Sequence, residues 1–151
     1  MRRRSAGGIL RGMRELHRDA HFVVTVDDAS RLVRRTRTER RFESLEEAES
    51  AYEAVLGAIA TLDQGRHAQL VDVRHAPPRN DPAFEDLLAR MSSRLLGGFR
   101  RVAVLARTEV GRLQVGRVAA RFHPSLRGFT DEAAALAYLA DDRAPDARAP
   151  R

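Results

Sequence analysis

The residues best suited to bind a partner lie in a loop near the middle of the chain. Its polar side chains are Arg74, His75, Arg79, Asn80 and Asp81. The dipeptide Pro77-Pro78 restricts the backbone of the same loop. Because an arginine guanidinium donates paired hydrogen bonds to a carboxylate or another oxyanion, this set predicts a site for an anionic or carboxylate-bearing partner.

The same residues also have a purely structural interpretation. Asp81 can cap the helix that Pro82 opens, because a short carboxylate accepts hydrogen bonds from the first N–H groups of a helix. Arg74 and Arg79 can pair with nearby acids, which would leave the prolines to shape the connection. Both interpretations stay open at this stage.

A second candidate loop follows the apolar run at residues 101–106. Thr108 can cap the next helix, and Arg112 lies one turn into it. In an open α/β sheet, ligands and partners bind at the edge where parallel strands have their carboxyl ends. We therefore predict that Thr108 and Arg112 share one working edge with the loop at residues 74–81.

Common catalytic and metal-binding motifs are missing from the sequence. The absence of cysteine excludes disulfides, thiolate zinc sites and cysteine nucleophiles. Of the five histidines only His17 and His21 are four residues apart, and they fall in the predicted tail and at the start of a predicted strand rather than on a zinc-binding helix. No nucleophile elbow is present. An acid–base pair of His75 with Asp72 is the weaker interpretation, since a histidine in a loop is usually only solvated. We predict no catalytic residue, no metal and no cofactor.

The positive charge of the chain is unevenly distributed. The net charge of +6 comes from 27 arginines and no lysine against 21 acidic residues. Most of the excess lies in residues 1–20, which we expect to be a disordered basic tail, with a second disordered tail at residues 141–151. Nucleic-acid binding is then at most nonspecific and confined to the N-terminal arginines, because the chain has neither interleaved aromatics nor a recognition helix.

Within the predicted domain, residues 21–140, arginines crowd one segment that reads as a strand. Alternation along a strand puts Arg35 and Arg37 on one face and Arg34 and Thr36 on the other. We interpret this segment as an outer strand on which arginines discourage edge-to-edge aggregation.

Strand and helix patterns alternate along the domain. β-branched runs at residues 21–26 and 32–38 predict an antiparallel hairpin. Short apolar strands follow near residues 69–73, 101–106 and 129. Four helices begin after the capping residues Ser44, Asp81 and Thr108 and at the capping group Thr130-Asp131-Glu132. The third helix is predicted to continue through Phe122. This order predicts an α/β fold with a mixed sheet whose central strands are parallel.

The element order and three local strings resemble the STAS superfamily and its SpoIIAA-like branch. The strings are Leu70-Val71-Asp72-Val73, Gly98-Phe99-Arg100-Arg101-Val102-Ala103-Val104, and Phe129-Thr130-Asp131-Glu132-Ala133-Ala134 followed by Ala137-Tyr138-Leu139. The resemblance implies a phosphorylated serine or threonine near the start of the second helix. No such residue occurs between Asp72 and Leu88, where Asn80-Asp81-Pro82 takes its place.

These observations predict a non-catalytic, STAS-like regulatory or protein-interaction module without a phosphorylation switch. The alternative is a carrier of a small molecule or lipid anion, with an apolar pocket between the sheet and the helices at residues 82–96 and 109–122. No uncharged apolar stretch approaches the roughly 18 residues of a membrane span, so we expect a cytoplasmic protein.

Overall fold

Six strands form one mixed sheet, in which neighbours follow the order of the chain. The computed structural model describes residues 13–141 and residue 143. The strands are β1 (Met13–Arg18), β2 (Phe22–Asp27), β3 (Leu32–Arg37), β4 (Ala68–Asp72), β5 (Arg101–Leu105) and β6 (Arg127–Phe129). β1, β2 and β3 pair antiparallel, whereas β3 to β6 pair parallel. The predicted hairpin and parallel centre are confirmed.

Four helices connect and cover the strands, as predicted. They are α1 (Leu45–Ile59), α2 (Pro82–Leu96), α3 (Glu109–Val118) and α4 (Glu132–Ala140). In each, the predicted capping side chain accepts a hydrogen bond from the backbone N–H three residues later. α3 ends earlier than expected, and a short 3-10 turn at Ala119–Arg121 follows it.

The two faces of the sheet carry two separate apolar clusters. The larger lies under α1 and α2, where Val71 of β4 and Val102 of β5 meet buried residues of both helices. The smaller lies under α4, where Leu70 and Leu105 pack against Leu139. Because neighbouring residues of a strand point to opposite faces, the continuous apolar runs of β4 and β5 supply both clusters.

The prediction of a disordered tail over residues 1–20 is wrong for residues 13–18, which form the edge strand β1. An irregularity between Glu15 and His17 shifts its register with β2, so the strand lacks the alternation that would identify it. Leu16 packs against the larger cluster. Residues 1–12 and, apart from Asp141 and Arg143, the predicted C-terminal tail lie outside the described residues.

The arginine-bearing strand is also placed differently from the prediction. It is β3, an interior strand between β2 and β4, so its arginines do not protect an edge. The predicted alternation itself is confirmed: Arg35 and Arg37 are each only 7% exposed on the α1 side, while Arg34 points to the α4 side and bonds Glu132 of that helix. In the part of the chain that the structure describes, no helix is long and apolar enough to cross a membrane.

Candidate functional site

Four charged residues form a closed network on the α4 side of the carboxyl edge. Arg34 donates from Nη2 to Oδ2 of Asp72 at 3.0 Å and from Nη1 to Oε2 of Glu132 at 3.0 Å. Arg74 donates from Nη2 to the same Asp72 oxygen at 2.8 Å and to Oε1 of Glu132 at 3.1 Å. Two guanidinium groups thus face two carboxylates, and the local charge is balanced.

This network holds both carboxylates in their ionised form. Burial alone would raise the pKa of Asp72, but hydrogen bonds from Arg74 and Arg34 outweigh it and lower that pKa to about 2. The Arg34 hydrogen bond likewise lowers the pKa of Glu132. Both oxygens of Asp72 bond to arginines rather than to His75, so the acid–base pair weighed from the sequence is not assembled.

The two predicted loops meet at this edge. Arg107, which begins the second loop, donates from Nη1 to the backbone oxygen of Arg74 at 3.1 Å. Arg74 therefore connects the first loop both to the charged network and to the second loop. The parallel pairing of β4 with β5 places both loops at one edge, although Thr108 and Arg112 contribute little to the contact between them.

Thr108 and Arg112 serve their own helix. The Thr108 hydroxyl accepts from the backbone N–H of Gly111 at 3.0 Å, and Arg112 donates from Nε to Glu109 at 2.7 Å. Neither lines the cavity described below. For this pair, the structural interpretation accounts for the geometry.

Asp81 stabilises the start of α2, and its partner Arg79 is exposed at the surface of the loop. Asp81 accepts from the backbone N–H of Phe84 at 3.3 Å and so caps α2, and it accepts from Nε of Arg79 at 2.5 Å. The Arg79 guanidinium lies 4.7 Å from the centre of the Phe84 ring. His75 and Asn80 are exposed in the same loop.

A cavity of about 260 Å³ opens beside this loop, on the α1 and α2 side of the sheet. Three arginines line it: Arg79 from the loop after β4, and Arg37 and Arg41 from the end of β3 and the segment after it. Its apolar walls are Phe42, Pro77, Pro78 and Phe84. A wider, open depression of about 690 Å³ continues from it along residues 38–43.

Arg37 is the unusual member of this group because it is buried without an acidic partner. Its Nη1 donates to the backbone oxygens of Thr38 at 2.8 Å and His21 at 3.4 Å, and its guanidinium stacks 4.2 Å from the Phe42 ring centre. Burial lowers the pKa of Arg37. Among residues 13–141 and 143, neither Arg37 nor Arg41 forms a salt bridge.

A second arginine lies two residues earlier on the same face. Arg35 donates from Nε to Oε1 of Gln69 at 3.0 Å, and the Gln69 amide donates in turn to the backbone oxygen of Leu95 at 3.0 Å. Burial lowers the pKa of Arg35 and raises that of Tyr52, its neighbour. The strand thus carries two buried arginines on this face, of which Arg37 lines the cavity.

Sequence reasoning missed Arg37, Arg41 and Phe42 as site residues. Arg37 was assigned to an outer strand, which would place it away from the loop at residues 74–81, and Arg41 and Phe42 were given no role in a site. The parallel pairing of β3 with β4 brings the ends of these two strands together. A signal was present, since an arginine-rich segment follows β3 directly, but using it requires knowing which strand lies beside β4.

No protein-family model matches the sequence, and no curated protein matches it. Among solved structures, a similar one is an uncharacterized protein of the DUF3478 family with a SpoIIAA-like fold from Shewanella loihica PV-4. The likeness covers 85% of this chain and 94% of that chain, at 21% sequence identity and a TM-score of 0.47.

Proposed function

We propose that this chain is a non-catalytic, STAS-like interaction module that binds a partner protein at the carboxyl edge of its sheet. The observation that carries the proposal is the basic cavity beside the loop at residues 74–81, where three arginines from two separate segments converge. Arginine is enriched at protein interfaces and is common among the residues that dominate binding energy. The cavity therefore favours an acidic or carboxylate-bearing surface as the partner.

The chemistry of the edge supports binding rather than catalysis. A general acid must hold a proton near neutral pH, whereas Asp72 and Glu132 are each bonded by two arginines that lower the carboxylate pKa. We also propose regulation without phosphorylation, because Asp81 rather than a hydroxyl residue caps α2. A carboxylate supplies a permanent charge at that position.

The carrier alternative requires an apolar pocket between the sheet and the helices, but buried side chains of α2 occupy this space. Leu87, Met91 and Leu95 of α2 are at most 1% exposed and fill the space beneath this helix. The two cavities described above lie at the carboxyl edge instead. Within the described residues, that edge is where we expect a small anionic ligand to fit.

The test compares partner capture by the wild-type chain and two charge-reversal variants. The edge variant carries Arg41→Glu and Arg79→Glu, and the control carries Arg66→Glu and Arg117→Glu, which change the net charge equally at exposed positions elsewhere. We expect proteins captured from a lysate of the native host, quantified by mass spectrometry, to be lost with the edge variant and kept with the control. A partner set that is the same for all three chains would contradict the proposal.

A further inference from the structure

The charges around the cavity are not balanced by the protein itself. Arg79 is paired with Asp81 through bonds of 2.5 and 3.3 Å, which leaves Arg37 and Arg41 opposite one lining carboxylate, Glu43. Counting these five side chains gives three positive and two negative charges. One additional negative charge in the cavity would therefore balance these five side chains.

Arg37 supplies donors that are ready for such a group. Its Nη1 is committed to backbone oxygens of Thr38 and His21, while within the described residues its Nε and Nη2 have no hydrogen-bond partner. A buried charge without a counterion is costly. A bound anion would recover that cost, and charge-assisted hydrogen bonds are the stronger kind.

The apolar walls and the volume of the cavity indicate what kind of molecule bears the negative charge. Phe42 and Phe84 lie 6.1 Å apart between ring centres, and each also has an arginine guanidinium within 5 Å of its ring centre. Pro77 and Pro78 add rigid apolar surface. A volume of about 260 Å³ lies below the range usual for complete drug-sized ligands, so the cavity suits one anionic group and a short apolar body.

We propose that this cavity is a receptor for a single carboxylate on an apolar body, held by Arg37 and Arg41 against the Phe42 and Phe84 rings. The inference rests on the proposed function, because it names the chemical group through which the partner is held. One charge matches the imbalance better than the two charges of a phosphate. The carboxylate can belong to a partner's chain terminus or side chain, or to a free organic acid.

The experiment follows the arginine Nε–H signals of the full chain by NMR during titration with phenylacetate. The neutral isostere phenylacetamide is the matched control, and inorganic phosphate tests the alternative anion. We expect saturable shifts of the Arg37 signal with phenylacetate, and none with phenylacetamide. Stronger binding of phosphate than of phenylacetate at Arg37 would overturn the assignment to a carboxylate.

Two variants connect the shifts to the site. Arg37→Met keeps an apolar stem in place of a buried charge, which proteins commonly tolerate, and we expect it to weaken phenylacetate binding roughly tenfold or more. Arg41→Gln changes an exposed residue, so it tests the site without threatening the fold, and we expect a loss of a few-fold. Unchanged affinity in both variants would overturn the inference.

A peptide arm distinguishes the possible sources of the carboxylate. A five-residue peptide ending in phenylalanine is titrated with a free C-terminal carboxylate and, as its control, with a C-terminal amide. Tighter binding of the free-carboxylate peptide than of phenylacetate assigns the site to a protein segment, and the opposite order assigns it to a small acid. If neither carboxylate binds while capture still depends on Arg41 and Arg79, only the inference fails; carboxylate binding with unaltered capture would contradict the proposed function alone.

Discussion

Asp72 illustrates how the partners of a residue, more than its burial, decide its chemistry. The side chain is 3% exposed, a position in which a lone carboxyl group would favour its protonated form. Arg34 and Arg74 reverse this preference. The result is a charged link between β4, the loop after it and α4.

We predict that Asp72→Asn lowers the free energy of unfolding by about 2 kcal/mol, because the two arginines lose their shared buried acceptor. Urea denaturation at neutral pH measures this change. The matched control is Glu53→Gln, which breaks an exposed pair with Arg94 and should cost less than about 1 kcal/mol. Equal losses in the two variants would contradict the role given to the network.

The pH dependence of the same variant follows from linkage. The pKa of Asp72 is lower in the folded chain, at about 2, than the ordinary value of 3.8. Its stabilising contribution is therefore complete above about pH 5 and is lost progressively as the pH falls through the folded pKa. Asp72→Asn should flatten this part of the wild-type curve of unfolding free energy against pH, and a curve of unchanged slope would show that Asp72 does not titrate there.

Individual site residues were predictable where their partners are close in sequence. Asp81 and Thr108 were recognised as helix caps because the accepting backbone N–H lies three residues away. Arg37 and Arg41 were not recognised as lining a cavity with Arg79. Their shared location depends on strand pairing across about 40 positions, which local spacing does not encode.

At the scale of elements, glycines show where α3 is held tightly and where it is free. A methyl group on Gly128 of β6 would lie 2.9 Å from the backbone oxygen of Arg112, so α3 approaches the strand closely there. A methyl group on Gly116, within α3 itself, would meet no atom within 4 Å. The contact between α3 and β6 therefore runs through Gly128.

We predict opposite effects of the same substitution at these two glycines. Gly128→Ala should lower the free energy of unfolding by about 1–3 kcal/mol through crowding. Gly116→Ala should raise it by about 0.5–1 kcal/mol, because alanine loses less backbone entropy in a helix. Thermal and urea denaturation of both variants provide the measurement, and a loss of stability at Gly116 would show that α3 packs more closely than described.

Helices were predicted more completely than strands. The four caps and the apolar spacing of α1 and α2 are local signals, and the structure confirms them. β1 was not predicted, because its charged residues and shifted register hide the alternation that is typical of a strand. An edge strand gains much of its stability from backbone pairing, and that pairing leaves little trace in side-chain type.

At the scale of the whole molecule, β1 belongs to the domain rather than to a tail. We predict that a chain beginning at Asp19 unfolds at least about 2 kcal/mol more easily than one beginning at Met13, because it loses the β1–β2 pairing and the packing of Leu16. The chain beginning at Met13 keeps every contact described here and is the appropriate reference. Equal urea midpoints would show that β1 contributes nothing to stability.

The position of α4 has a consequence for synthesis on the ribosome. Glu132 lies 98 residues after Arg34, its partner in the network, and α4 supplies the helical residues that pack on Leu70 and Leu105 in the smaller cluster. The 35 residues from Leu105 to Ala140 take roughly 2–7 s to translate. During that interval we expect the apolar face of the sheet to stay uncovered, because the helix that packs on it is the last of the four to be synthesised.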